Sequence, residues 1–417
     1  MTSIDAPDRT YSQWDLSARE FWAQPFATRD ETFARLRAEP GLSWQRALPS
    51  LFDITEPGYW AVTRRADIIE ASLHPELFCS GQGVALDPMP VEVQRIATFF
   101  LTMDPPQQTV YRRLVSSAFT PRNVRRIEEQ IQANAVRIVD DLVGAGDVDF
   151  VEACSARLPM MTISEMLGVP ESDRKAVAHA AEKLFSMSDD EYSTLEERAT
   201  ATINEMLLLS GTGIELAKHR RVHPADDLMT AIVNAEVDGQ RLTDEEVGAF
   251  LVLLASAGND TTKQTTTHAM LALAAHPEQR EWLMADFDAR IGSAIEEFVR
   301  WATPVMQFAR TATCDTELGG QQVRAGDKIG LFYCSANRDE AAFDRPGQLD
   351  LSRSPNPHLG FGGGGPHYCL GASLAKTELR HLLRELLTRI DDIEFGQPVF
   401  LQSGFVHGIK RVPARIG

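Results

Sequence analysis

The sequence predicts a mainly helical α+β fold with small antiparallel β-sheets, and three observations carry that reading. Apolar residues recur at helical spacing through most of residues 104–302. Capping-box and proline signals bracket the longest of these runs. Period-two alternation is concentrated in residues 305–334, around glycine-containing turns. The apolar content of 43% is ample for a large core, and no linker, repeat or low-complexity run divides the chain. A single domain over residues 1–417 is expected.

In chain order, residues 59–63 read as a strand and residues 65–73 as a short helix stopped by Pro75. Asp104 reads as an N-cap, with Pro105 and Pro106 in the first turn of a helix that carries Arg112 and Arg113 and ends before Pro121. Helical patterns follow over 122–142, 158–167, 171–185, 195–220 and 226–236. The run 242–276 is the longest; a Thr243-x-x-Glu246 capping box opens it, Pro277 closes it, and its length predicts a helix through the core. A second box, Ser293-x-x-Glu296, predicts a helix that stops before Pro304. Residues 305–334 read as antiparallel strands joined at Gly319-Gly320 and Gly326-Asp327. After Leu370, the leucines 374, 379, 382, 383, 386 and 387 form the stripe of a last long helix.

Composition excludes several classes. The net charge of −18 argues against nucleic acid, because phosphate binding needs a basic footprint. The longest apolar run, 249–255, is far below the ~20 residues that span a bilayer, so no membrane insertion is expected. Five scattered cysteines without a Cys-x-x-Cys pair fit neither a disulfide framework nor a zinc site, and imply a reducing cytoplasm.

The chemistry concentrates at Cys369. It follows Phe361, four consecutive glycines and His367, and precedes Gly371 at the entrance of the last helix. Unpaired N–H groups at a helix N-terminus favour a thiolate. Five glycines allow backbone to lie against a large flat group. Together these suit an axial ligand to haem iron, and a thiolate ligand favours oxygen activation over carriage. The alternatives are a buried small hydrophobe or a nucleophile paired with His367. A phosphate cradle would need Gly-x-Gly-x-x-Gly after a strand, or Gly-Lys-Ser/Thr, and neither occurs.

Within the long helical run, Ala257, Gly258, Asn259, Asp260, Thr261 and Thr262 are mostly weak helix formers. They predict a local opening or kink. An alcohol beside a carboxylate can relay protons, with Thr261 holding an oxygen atom by hydrogen bond and Asp260 passing protons from solvent. The plainer reading is a kink with Asp260 paired to an arginine. Glu297 and Arg300 share a helix face among apolar neighbours, which predicts a buried pair completed by Arg353. Arg112, Arg310 and His367 are the candidate donors to two haem propionates.

Four ordered motifs give the chain its resemblance: Asp104-Pro-Pro with Arg112 and Arg113, Ala257-Gly-x-Asp-Thr-Thr262, Glu297-x-x-Arg300, and the loop from Phe361 to Cys369-x-Gly371. From about Tyr59 onward the sequence resembles the cytochrome P-450 haem-thiolate monooxygenases. The resemblance implies that family's helical fold, with haem b between the long central helix and the Cys-led proximal helix. It implies Cys369 as iron ligand, Asp260 and Thr261 in oxygen activation, and Glu297, Arg300 and Arg353 as a structural cluster. It places Arg112, Gln108, Ala257, Arg310, Phe361, His367 and Gly371 beside the haem. Val305, Met306, Gln307, Phe405 and Val406 become walls of an apolar substrate site, with further walls near residues 84–100 and 184–187. Two departures stand out: the spacing from Phe361 to Cys369 is one residue longer than the commonest pattern, and Gln108 stands where many bacterial members have histidine. The longer loop, with Ser403 to Lys410, resembles a subgroup acting on steroids, terpenoids or branched lipids. Electrons are expected from a ferredoxin or flavodoxin with its reductase, docking near Arg112, Arg113, Arg122, Arg125 and Arg126, and the protein is expected to be a monomer. The alternatives are a peroxide-dependent or rearranging haem-thiolate enzyme, or a haem-binding sensor without catalysis.

Overall fold

A computed structural model describes residues 9–50, 52, 54–117, 121–185 and 194–417. The central helix, Asp244–Ala275, is capped as its sequence demands: Thr243 accepts from the Glu246 N–H and Glu246 reaches back to the Thr243 N–H. Helices Arg157–Leu167, Glu171–Phe185, Leu195–Val222 and Phe287–Ala302 pack around it, and the last helix, Ala372–Arg389, lies against it as well. Their facing side chains form the largest apolar cluster. The helix predicted over 226–236 is shorter, Leu228–Asn234, because Asp227 caps it by accepting from the Thr230 N–H.

A five-stranded sheet stands beside the helices, in the order Ser43–Gln45, Tyr59–Val62, Lys328–Phe332, Gln307–Ala312, Phe78–Cys79. Its ladders are antiparallel except that Tyr59–Val62 runs parallel to Lys328–Phe332, which local alternation could not reveal. Each face of this sheet packs on its own apolar cluster. A three-stranded antiparallel sheet centres on Pro413–Ile416, between Gly146–Asp149 and Ile393–Phe395. The turn at Gly319-Gly320 joins the hairpin strands Thr316–Leu318 and Gln321–Val323, both glycines having positive φ. No helix among the described residues is long and apolar enough to cross a membrane.

Three local expectations are corrected. Ser293 and Glu296 do not open a helix: Asp286 caps Phe287–Ala302, Ser293 donates to the Arg290 carbonyl, and Glu296 meets His358 and Lys376. The apolar stripe already runs through Phe287 and Ile291, so the true start lies upstream. Asp104 does not cap its own helix, Gln107–Ser117, with its side chain; its carboxylate accepts from the Ser80 and Gly81 N–H groups. The central helix is unbroken through residues 257–262. Gly258 is a packing site, since a Cβ there would meet Ile163 Cδ1 at 2.9 Å. The Thr261 hydroxyl back-bonds to the Ala257 carbonyl at 2.8 Å without interrupting the helix.

Candidate active site

Cys369 sits just before the last helix, whose first turn begins at Ala372 behind Gly371. Its N–H donates to the Phe361 carbonyl at 3.0 Å, closing the glycine loop on itself. The loop's glycines serve the protein as much as any flat group. Gly365 has φ +68°, and a Cβ at Gly363 or Gly365 would collide with Ser72 of the helix Arg65–Leu73. Gly371 faces open space, and a Cβ at Gly362 or Gly364 would make only ordinary contacts. Cys369 is exposed, yet surrounding protein raises its thiol above the usual range. A group open on one side and desolvated on the others lies at the floor of a recess. The Gly371 and Ala372 N–H groups, Arg112 and Lys376 pull the thiol back down without overcoming burial, so the expected thiolate is not favoured by the protein alone.

The central helix supplies a second open face. Ala257 is exposed and Thr261, one turn on, is half-buried, although Ala255, Ser256, Asn259, Asp260 and Thr262 are buried. Asp260 is paired with Lys263 Nζ at 2.5 Å, not with an arginine, and Lys263 lies 3.4 Å from Glu182. Glu378 of the last helix is buried near Thr262, with its Oε1 unpartnered among the described residues.

Near Cys369 lies a set of cations and donors. Arg112 Nη1 and Gln108 Nε2 both donate to the Pro366 carbonyl, at 3.2 and 2.6 Å. Gln108 is fully buried with its Oε1 unpartnered. Arg310 is buried and, among the described residues, its guanidinium donates only to the Ala309 carbonyl. Neither Arg112 nor Arg310 has a carboxylate within ion-pair distance among the described residues. Burial, with Arg310 and Arg112 nearby, pushes His367 down to about 3; its Nε2 lies 3.1 Å from Ser80 Oγ.

Glu297 binds four groups: Arg300 at 2.7 and 2.8 Å, Arg353 Nε at 3.1 Å, Asn356 Nδ2 at 3.0 Å and the Asp350 N–H at 2.9 Å. Arg300 donates further to the Asn337, Pro346 and Gln348 carbonyls. The cluster thus clamps the segment that leads into the cysteine loop.

The family model for Cytochrome P450 matches residues 148–391, more than half of the chain. The chain belongs to the cytochrome P450 family. It is 39% identical over 407 residues to the methyl-branched lipid omega-hydroxylase of Mycobacterium tuberculosis, covering 96% of this chain and 94% of that one. The steroid C26-monooxygenase of Mycolicibacterium smegmatis is 37% identical, covering 91% and 88%. Among solved structures, the Mycobacterium marinum cytochrome P450 CYP268A2 in complex with pseudoionone superposes with a TM-score of 0.93 at 52% identity, covering 98% of this chain and all of that one.

Cytochromes P450 are haem-thiolate enzymes carrying protoporphyrin IX. The residues present fit that group. Two guanidinium groups without carboxylates, beside a histidine held neutral, suit two propionates, and a coordinating metal deprotonates a thiol outright. Motif spacing did not single out Lys263, Gln264, His268 or Glu378. A signal existed for three of them: Gln264 and His268 follow Asp260 at every fourth residue of the helix, and Glu378 falls between Leu374 and Leu382 on the leucine stripe.

The residues expected to line the substrate site divide. Val305 bridges Val406, and the Met306 N–H donates to the Phe405 carbonyl at 2.8 Å, so the two segments are bound together. The Met306 side chain turns away into the cluster of Trp22, Phe33 and Phe332. Strand alternation dictates this, since neighbours point to opposite faces. Gln307 is buried with its Oε1 unpartnered, and Phe405 packs edge-on to Phe308. Val84 bonds through its carbonyl to the Ala309 N–H, and Leu184 is in the main core. Residues 186 and 187 lie outside the described residues.

Proposed function

We propose that this cytochrome P450 inserts one atom of O2 into a hydrophobic small molecule of the steroid, terpenoid or branched-lipid class. Similarity to a lipid omega-hydroxylase and a steroid C26-monooxygenase supports that substrate class. The observation that carries the reading is the open face of Ala257 and Thr261 on a helix otherwise buried, with Asp260 beside it. When bound, haem with a thiolate ligand supplies reductive activation of O2. Cys369 would ligate the iron. Arg112, Arg310 and His367 would hold the propionates, and Gln108 steadies the loop between them through the Pro366 carbonyl. Ala257, Phe361 and Gly371 would contact the haem. Thr261 Oγ1 would orient oxygen by hydrogen bond, and Asp260 would exchange protons with solvent through Lys263 and the exposed Glu182. Val305, Phe405 and Val406 exclude water and orient the substrate. Glu297, Arg300 and Arg353 hold the cysteine loop in place.

Electrons come from a separate ferredoxin and its reductase in the cytoplasm, to a monomeric enzyme. Of the proposed docking arginines, Arg113 lies 3.3 Å from Asp238, and Arg122 and Arg126 share Asp226. The Arg113 and Arg122 pairs are exposed and weak, so these arginines can re-partner with an acidic protein. The test is reconstitution with ferredoxin, reductase and NADH against a steroid, terpenoid and branched-lipid panel. Oxygenated product with NADH consumption is expected. A thiolate-type spectrum of the reduced carbon monoxide complex with no product from any compound would favour a sensor instead.

A further inference from the structure

Down one face of the central helix, Asp260, Gln264 and His268 form a buried polar stripe, each one turn from the next. The lower two read the backbone of the C-terminal segment. Gln264 Oε1 accepts from the Ile409 N–H at 2.7 Å and its Nε2 donates to the Ile409 carbonyl at 3.4 Å, as a neighbouring strand would. His268 Nε2 lies 3.1 Å from the His407 carbonyl. Burial holds His268 down to about 4, so the ring is neutral and Nε2 can carry the donated proton. Immediately before these anchored residues come Phe405 and Val406, which Ser403 Oγ holds in a tight turn by accepting both their N–H groups. The same Gln264 Nε2 lies 3.5 Å from Asp260 Oδ1, the oxygen that also meets Lys263. Asp260 Oδ2 is buried without a partner. Gln264 therefore holds the Ile409 backbone with both ends of its amide, and its Nε2 also reaches the carboxylate beside Thr261.

We propose that Gln264 is a positioning residue that joins the fit of the substrate at Phe405 and Val406 to the orientation of the Asp260 carboxylate, so that one side chain sets both binding and proton delivery. The inference rests on the reading of Asp260 and Thr261 given above. A shift of Ile409 on substrate entry pulls on the amide. Nε2 has two N–H donors, one directed to the Ile409 carbonyl and one to Asp260 Oδ1, so a displacement of Ile409 that carries the amide with it lengthens or shortens the contact to the carboxylate. Lys263 then competes for the freed oxygen, and Asp260 turns with it.

Two variants separate the ends. Gln264→Leu keeps the bulk and loses both contacts. Gln264→Glu keeps an acceptor for the Ile409 N–H and replaces the donor to Asp260 with a like charge. In the holoenzyme, amide exchange at Ile409 should quicken roughly tenfold in Gln264→Leu and stay near the parent in Gln264→Glu. Substrate affinity, read from the haem spectral shift, should fall only in Gln264→Leu. Product formed per NADH should fall in both, with an altered solvent isotope effect. Unchanged Ile409 exchange in Gln264→Leu overturns the anchor. Parent-like coupling and isotope effect in Gln264→Glu overturn the link to Asp260. If the parent itself turns over no substrate, the proposed activity fails while the exchange measurement still decides the anchor.

Discussion

Glu378 shows how much a single side chain can reveal. It is buried on the last helix with its Oε1 unpartnered among the described residues, and burial, offset in part by the nearby Thr162 and Thr262 hydroxyls, raises its carboxyl to about 7. In the unfolded chain it titrates near 4.5. Between those values the folded state keeps a proton that the unfolded state has lost, so stability falls as pH rises through this window, and the full cost is present above about 7. Thermal melts should therefore find Glu378→Gln more stable than the parent at pH 8, with the difference closing by pH 5. Thr261 makes a different prediction. Its hydroxyl rests on the Ala257 carbonyl and is free to re-aim, so Thr261→Ala should leave NADH consumption running while product per NADH drops severalfold and peroxide accumulates. Turnover that stays coupled would point to the peroxide-dependent or rearranging chemistry.

At the scale of elements, the helix Phe287–Ala302 carries the most consequential contact. Glu297 is fully buried among two guanidinium groups, an amide and a backbone N–H. Replacing it with alanine leaves Arg300 and Arg353 buried without their anion, a cost of about 3–5 kcal/mol that urea unfolding would read as a large fall in midpoint. The pair and its arginine partner were legible in the sequence because charge at three-residue spacing sat among apolar residues. The start of that same helix was not, since Ser293 and Glu296 mimic a cap and only tertiary contacts with His358 and Lys376 show where Glu296 goes. The central helix was legible at both ends through Thr243, Glu246 and Pro277. Its interior was read too locally: Gly258 answers to Ile163 and Asp260 to Lys263, and such partners lie on other elements or on a helix face that motif spacing ignores. The glycine loop drew attention to Cys369, but the need for Gly363 and Gly365 comes from Ser72, far away in sequence.

For the whole molecule, charge is distributed against its average. A chain of net charge −18 would repel an acidic ferredoxin at long range, so the proposed association would draw on local arginines. Arg125 is exposed with no ion pair among the described residues, whereas Arg122 already shares Asp226. Titrations should show binding of an acidic ferredoxin weakening steeply as salt rises, and Arg125→Glu should weaken it more than Arg122→Glu. The five-stranded sheet bears on a different stage of the protein's life. Tyr59–Val62 gains its parallel neighbour only when Lys328–Phe332 exists, and ribosomes add about 5–20 residues per second, so the early strand waits on the order of a quarter of a minute to a minute. Throughout that wait the edge that Lys328–Phe332 will cover is open to pairing with other nascent chains, so raising the chaperone supply during translation is expected to raise the yield of folded protein.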